Sequence, residues 1–279
     1  MSRMESIRES APRECPFTMA VSRTSGAAGR TATLAYGVAA YALFFVTFCY
    51  GVGFVGNWFV PTSIDSSRWF PPISIVPSML LNAALLSVFV VQHTVMARPA
   101  FKRWWTTIIP RPVERSTYVL TASASLAAVF VLWRPIPGVV WHVDNRAVSL
   151  ALQAISLGGW AMVLLTSFVI NHFDLFGLRQ VWMRFRNLRP TPVGFRLAGP
   201  YRIVRHPLMV GFLIAFWATP HMSVGHLFFA VLTTGYILMG TWFEERDLVA
   251  EHGESYLEYR RRVRGLVPLP KLGSGKEAA

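Results

Sequence analysis

Apolar residues run almost unbroken over four stretches of this chain, roughly 32–60, 73–97, 117–134 and 148–171, and over a fifth, longer one from 207 to 243. Each of the four is long enough to cross a hydrocarbon layer of about 30 Å as a helix. The fifth is too long for one span. Pro220, with His221 and Ser223 beside it, breaks it into two predicted helices, 207–219 and 223–243, the first short and tilted or only partly inserted. The pattern therefore predicts an all-α fold: a polytopic integral membrane bundle of about five to six transmembrane helices with a C-terminal helical hairpin.

Polar residues between the runs set the orientation. All but three of the 27 lysines and arginines (Arg68, Arg134 and Arg146) fall in the leader, the 98–116 and 172–205 segments and the C-terminus. These are alternate connections, so positive-inside bias places both termini in the cytoplasm, most simply at a cell inner membrane. A net charge of +13 in a soluble chain would suggest nucleic acid. Here the arginines sit in short segments between apolar runs, on no single helix face, which argues for a lipid bilayer as partner and against nucleic acid. The leader, 1–30, has no apolar core of its own and is expected to be disordered, not a cleavable signal. The membrane domain is expected over 31–265 and a flexible tail over 266–279. Cys15 and Cys49 have no metal-type or disulfide-scaffold spacing, and the seven histidines do not cluster, so no metal site is expected.

Several polar motifs stand against this background. Gly51, Gly53 and Gly56 match GxGxxG, but inside a membrane helix they read as close helix packing and not as a dinucleotide turn. Gln92 and His93 end the second apolar run, as a pocket-lining pair or one satisfied at the interface. Asn171, His172 and Asp174 lie in an amphipathic segment suited to the membrane surface. His172 and Asp174 form a candidate proton-handling pair, because a carboxylate can fix an imidazole's tautomer. The bland alternative is helix-end capping.

The densest polar groups bracket the fifth run. GPYRIVRHP (Gly199–Pro207) makes a turn, then a helix headed by Pro207, with His206 as the cap and Tyr201, Arg202 and Arg205 around it. Free N–H groups and cations at a helix start are suited to a carboxylate. At the other end, Glu244 and Glu245 follow straight on from apolar residues, which calls for a ligand cation, a ribose hydroxyl or an arginine. Tyr256 and Tyr259 share a helix face, and of the run that follows Arg260 is placed to reach back over a ligand.

These two clamps, GPYRIVRHP and EERDL…HG…Y..Y, resemble the membrane methyltransferases related to isoprenylcysteine carboxyl methyltransferase and the phospholipid N-methyltransferases. QHTVMARPAFKRWWT (Gln92–Thr106), ERSTYVL (Glu114–Leu120), WRPIP (Trp133–Pro137) and NHFDLFGLRQV (Asn171–Val181) narrow the resemblance to the methanethiol S-methyltransferases, over about 90–263. It implies S-adenosylmethionine as cofactor and a small volatile thiol as acceptor, giving dimethyl sulfide. Tyr201, Arg205 and His206 would meet the amino-acid end, Glu244 or Glu245 the ribose or ammonium, and Tyr256 and Tyr259 would close over the ligand. A thiolate is needed, and His206, His172 with Asp174, and His93 are candidate bases, the first two ranked ahead. Other acceptors, a prenylcysteine carboxylate or a lipid amine, are the alternative, as is a non-enzymatic NnrU-like membrane protein.

Overall fold

The computed structural model describes residues 26–71, 73–189, 191 and 199–267. Most of the expected leader and tail lies outside these residues. Five helices are long and apolar enough to cross a membrane: α1 (Ala27–Gly56), α2 (Ile75–Ala97), α4 (Arg111–Leu132), α5 (Arg146–Ile170) and α9 (Val224–His252). The fold is the expected all-α membrane bundle. Between them sit α3 (Pro99–Ile108), α6 (His172–Leu175), α7 (Leu178–Phe185), a 3-10 turn at Gly199–Arg202, α8 (Pro207–Trp217) and α10 (Glu254–Arg262).

Helix ends follow local chemistry. Asn145 and Ser223 cap α5 and α9, their side-chain oxygens accepting from Val148 N at 3.1 Å and His226 N at 2.9 Å. Asn171 ends α5 at a positive φ (147°), and its side chain accepts from Asp174 N at 3.3 Å to start α6. Capping is therefore done by Asn171.

The break at Pro220 is where the pattern placed it. Beside it β2 (His221–Ser223) pairs antiparallel with β1 (Val139–His142), two short strands the pattern did not show. They join the α4–α5 connection to the α8–α9 turn. Ser223 also bonds Asp65, and the buried Trp133 indole donates to Ile64 O at 3.1 Å. The three arginine-poor connections thus gather at one end of the bundle. At the other end Arg98 pairs with Asp247 at 3.1 Å, and Arg115 donates to Leu175 O at 2.7 Å.

With 11 residues, α8 is about 16 Å long, half a membrane. It packs against α5 through small residues: a Cβ on Gly159 would lie 2.6 Å from Gly211 O and from Ala215 N. Ser156 adds a hydrogen bond to Ala215 O at 2.8 Å. Such backbone contact is what associates helices where lipid competes for apolar surface. Gly51 likewise admits the ring of Phe130, whereas Gly53 and Gly56 yield to Trp58 and Val60 just beyond the helix, so the GxGxxG match is packing. The helix α9 does not stop at the apolar boundary but runs on through Glu244 and Glu245 to His252.

Candidate active site

A cavity of about 460 Å³ runs between the helices, within the range of about 300–1,000 Å³ usual for small-molecule sites. Its floor is aromatic: Phe130, Phe216 and Phe229 line it, and Phe54 and Trp133 pack behind, with ring centroids 4.8–5.8 Å apart. Its mouth is polar, formed by Tyr201, Arg205, His206 and Glu244, with Leu208 and Met209 of the first α8 turn. Between the two, His93 and Tyr118 face the lumen from α2 and α4, and Tyr236 from α9. The two clamps and the upstream half of the chain thus share one space.

Behind the mouth lies a charge cluster. Arg205 Nε donates to Glu245 Oε1 at 2.8 Å, and its guanidinium also bonds Val263 O and Arg260 O. Arg260 Nε lies 3.4 Å from Glu245 Oε2. His206 sits between two carboxylates, Nε2 at 3.1 Å from Glu245 and Nδ1 at 3.4 Å from Glu244. Burial opposes its protonation, but the hydrogen bonds and charges of Glu244 and Glu245 outweigh that and raise its pKa above the usual imidazole value. At neutral pH His206 is therefore held toward the imidazolium form.

That shift has a pH signature. A folded-state pKa above the unfolded value of about 6.5 gives stability that is complete below that value. It fades as pH rises through the raised folded value. The melting temperature of His206→Gln in detergent should therefore approach that of the wild type as pH rises from 6 to 9. A gap that widens with pH would refute this placement.

Several expected site residues lie elsewhere. Glu245 lines no part of the cavity; its oxygens are taken by Arg205, His206 and Arg260, leaving Glu244 as the carboxylate at the mouth. Arg202 is exposed. Tyr256 and Tyr259 do not close over the lumen. Tyr259 donates to Tyr201 O at 2.7 Å and Tyr256 packs edge-on to it, both hydroxyls held up near pKa 12, first by burial. Arg260 belongs to the cluster behind the mouth, and Pro207 opens α8 as expected.

His172 and Asp174 do not pair. The His172 ring lies between Tyr41 O–H, 2.8 Å from Nε2, and Ser167 Oγ, 2.7 Å from Nδ1, and stacks on Phe168 at 4.1 Å. Asp174 instead accepts from Arg179 at 2.9 Å and from Gln180 at 3.3 Å. One turn of helix starting at Asn171 points the two side chains apart. Sequence reading also missed Arg115, Tyr118 and Tyr236 on the cavity wall. Arg115 and Tyr118 are three apart on one helix face, which was the available signal.

Curated relatives match most of the chain. A methanethiol S-methyltransferase of Mycobacterium tuberculosis (strain ATCC 25618 / H37Rv) is 50% identical over 241 residues, 86% of this chain and 98% of that protein. One of Crocosphaera subtropica (strain ATCC 51142 / BH68) is 49% identical, covering 86% and 92%. The chain belongs to the methanethiol S-methyltransferase family. A more distant similarity, 28% identity over 63% of the chain, is to Nurim of Rattus norvegicus. No family model and no solved structure matches the chain.

Proposed function

We propose that this protein is a membrane enzyme that transfers a methyl group from S-adenosylmethionine to methanethiol, forming dimethyl sulfide, with its polar mouth on the cytoplasmic side. The observation that carries the reading is one continuous cavity with a charged mouth and an apolar, aromatic interior. A zwitterionic donor suits the first and a small thiol that partitions into lipid suits the second. The family's name supplies the acceptor.

The mouth fits the donor's amino-acid end. Leu208 and Met209 stand in the first turn of α8, where helix geometry leaves N–H groups without an intrahelical acceptor, and the His206 imidazolium lies beside them. Together they would hold the carboxylate. Glu244, half exposed, would take the ammonium. Arg205, at the edge of the mouth, and Glu245, behind it, would position His206. Bound there, S-adenosylmethionine supplies a methyl group activated by a sulfonium, and Tyr236 and Phe212 offer ring faces that favour a cation. Charge disappears as methyl passes from a sulfonium to a thiolate, so a dry site is compatible with the reaction.

Purified protein in detergent, given S-adenosylmethionine and methanethiol, should release dimethyl sulfide into the headspace. Glu244→Gln removes one charge-assisted contact, which is worth about 1.5–3 kcal/mol. Affinity for S-adenosylmethionine by calorimetry should therefore fall about 10- to 150-fold, with melting temperature little changed. Wild-type affinity in Glu244→Gln would remove Glu244 from the site.

A further inference from the structure

Resting on the thiol-methylating reading above, we propose that the acceptor thiol is bound and deprotonated at His93, on the wall between α2 and α4, with Tyr118 and Arg115 as positioning groups. Of the three candidate histidines, His172 is buried away from the cavity with both ring nitrogens engaged. His206 faces a carboxylate at each nitrogen and has no lone pair to offer when protonated. His93 faces the lumen, and a neutral hydroxyl meets it: Tyr118 O–H lies 3.1 Å from Nδ1 and 2.9 Å from Nε2. A neutral imidazole has one N–H and one lone pair, and one hydroxyl engages only one of them at a time. The other is open to a thiol.

The surroundings suit that ligand. Phe89 and Tyr236 flank the ring at centroid distances of 5.3 and 6.3 Å, apolar faces for a methyl group. Gln92, next in sequence, turns to Thr121 and Met96 at 2.9 and 3.1 Å and does not line the cavity. The titratable and charged groups facing His93 are Tyr118 and Arg115 from α4 and Tyr236 from α9, none of them acidic. Arg115 lies over the Tyr118 ring at 5.1 Å and lines the same space, a cation that favours an anionic sulfur.

In the step itself the thiol S–H bond breaks and its proton passes to His93. The sulfur electron pair forms the new carbon–sulfur bond. The donor's carbon–sulfonium bond breaks, leaving its electrons on the donor sulfur as a neutral thioether. One positive charge enters on the donor and one leaves on His93, which is then deprotonated to water for the next turnover.

General-base assistance is worth about 10²–10⁴-fold. With S-adenosylmethionine binding intact by calorimetry, His93→Gln should therefore lose at least 100-fold in kcat at pH 7. Its rate should climb about tenfold per pH unit as the thiol ionises unaided, whereas the wild type flattens. An acidic aromatic thiol, already ionised, should narrow the gap between variant and wild type. Activity within threefold of wild type, or parallel pH profiles, overturns the proposal. Should His93→Gln lose donor binding, Tyr118→Phe decides: kcat/KM for methanethiol should drop about tenfold with the KM for S-adenosylmethionine unchanged. No drop overturns it. A wild type that binds S-adenosylmethionine but makes no dimethyl sulfide would instead refute the acceptor reading on which this rests.

Discussion

Glu245→Ala is expected to deplete folded protein before it slows any folded molecule. The Arg205 and Glu245 side chains are only 9% and 14% exposed, and Glu245 serves Arg205, His206 and Arg260 together. Truncating one partner of such a buried pair leaves the other charge uncompensated, a loss of about 3–5 kcal/mol. Arg205 also ties the α9–α10 segment to the turn before α8, through Val263 O and Arg260 O, while its own N–H donates to Arg264 O at 2.8 Å. A guanidinium without its carboxylate would be drawn toward solvent and would release those carbonyls. Replacing both partners by apolar groups, Arg205→Met with Glu245→Leu, removes the orphaned charge and should recover much of the stability. Thermal unfolding in detergent with intrinsic fluorescence separates these outcomes. A Glu245→Ala protein that melts with the wild type would mean the cluster is solvated and contributes little.

The second large effect is at the α5–α8 crossing, where adjacent glycines should behave oppositely. A Cβ at Gly159 would meet the α8 backbone at 2.6 Å, whereas one at Gly158 meets nothing within 4 Å. Backbone atoms cannot rotate away as a side chain does, so Gly159→Ala must push α8 off α5. Overpacking of this kind costs about 1–3 kcal/mol. Gly158→Ala removes only the entropic weakness of glycine within a helix, a gain of about 0.5–1 kcal/mol. Because α8 carries the first-turn residues of the mouth, Gly159→Ala should also weaken S-adenosylmethionine binding. Equal melting temperatures for the two variants would refute the close approach.

Reading along the chain succeeded where one kind of force dominates. Long apolar runs must be helical in lipid because every backbone polar group needs an internal partner, so the bundle and the break at Pro220 were legible. Both clamps were legible as polar islands beside lipid. The partition of labour within them was not. Whether Glu244 or Glu245 faces a ligand depends on the rotation of α9, and adjacent helical residues point about 100° apart. The same limit governs His172 and Asp174, which the short turn after Asn171 aims at different neighbours. His93 and Tyr118 are 25 residues apart, and only the packing of α2 on α4 joins them. The β1–β2 pair is too short to register as a pattern against its apolar flanks.

The continuity of α9 carries a further consequence. Phe229, Thr233, Tyr236 with its neighbour Ile237, Gly240 and Glu244 recur every three or four residues along one face and all line the cavity. One rigid rod of 29 residues, about 43 Å long, therefore carries the floor and one side of the mouth. The separation between the two ends is a helical rise, a fixed ruler without a hinge. Phase matters as much as length along such a ruler. An extra residue after Met239 would swing Glu244 about 100° away from the lumen while leaving Phe229 in place. Evolution can retune either end of this site by substitution, but not by insertion between them.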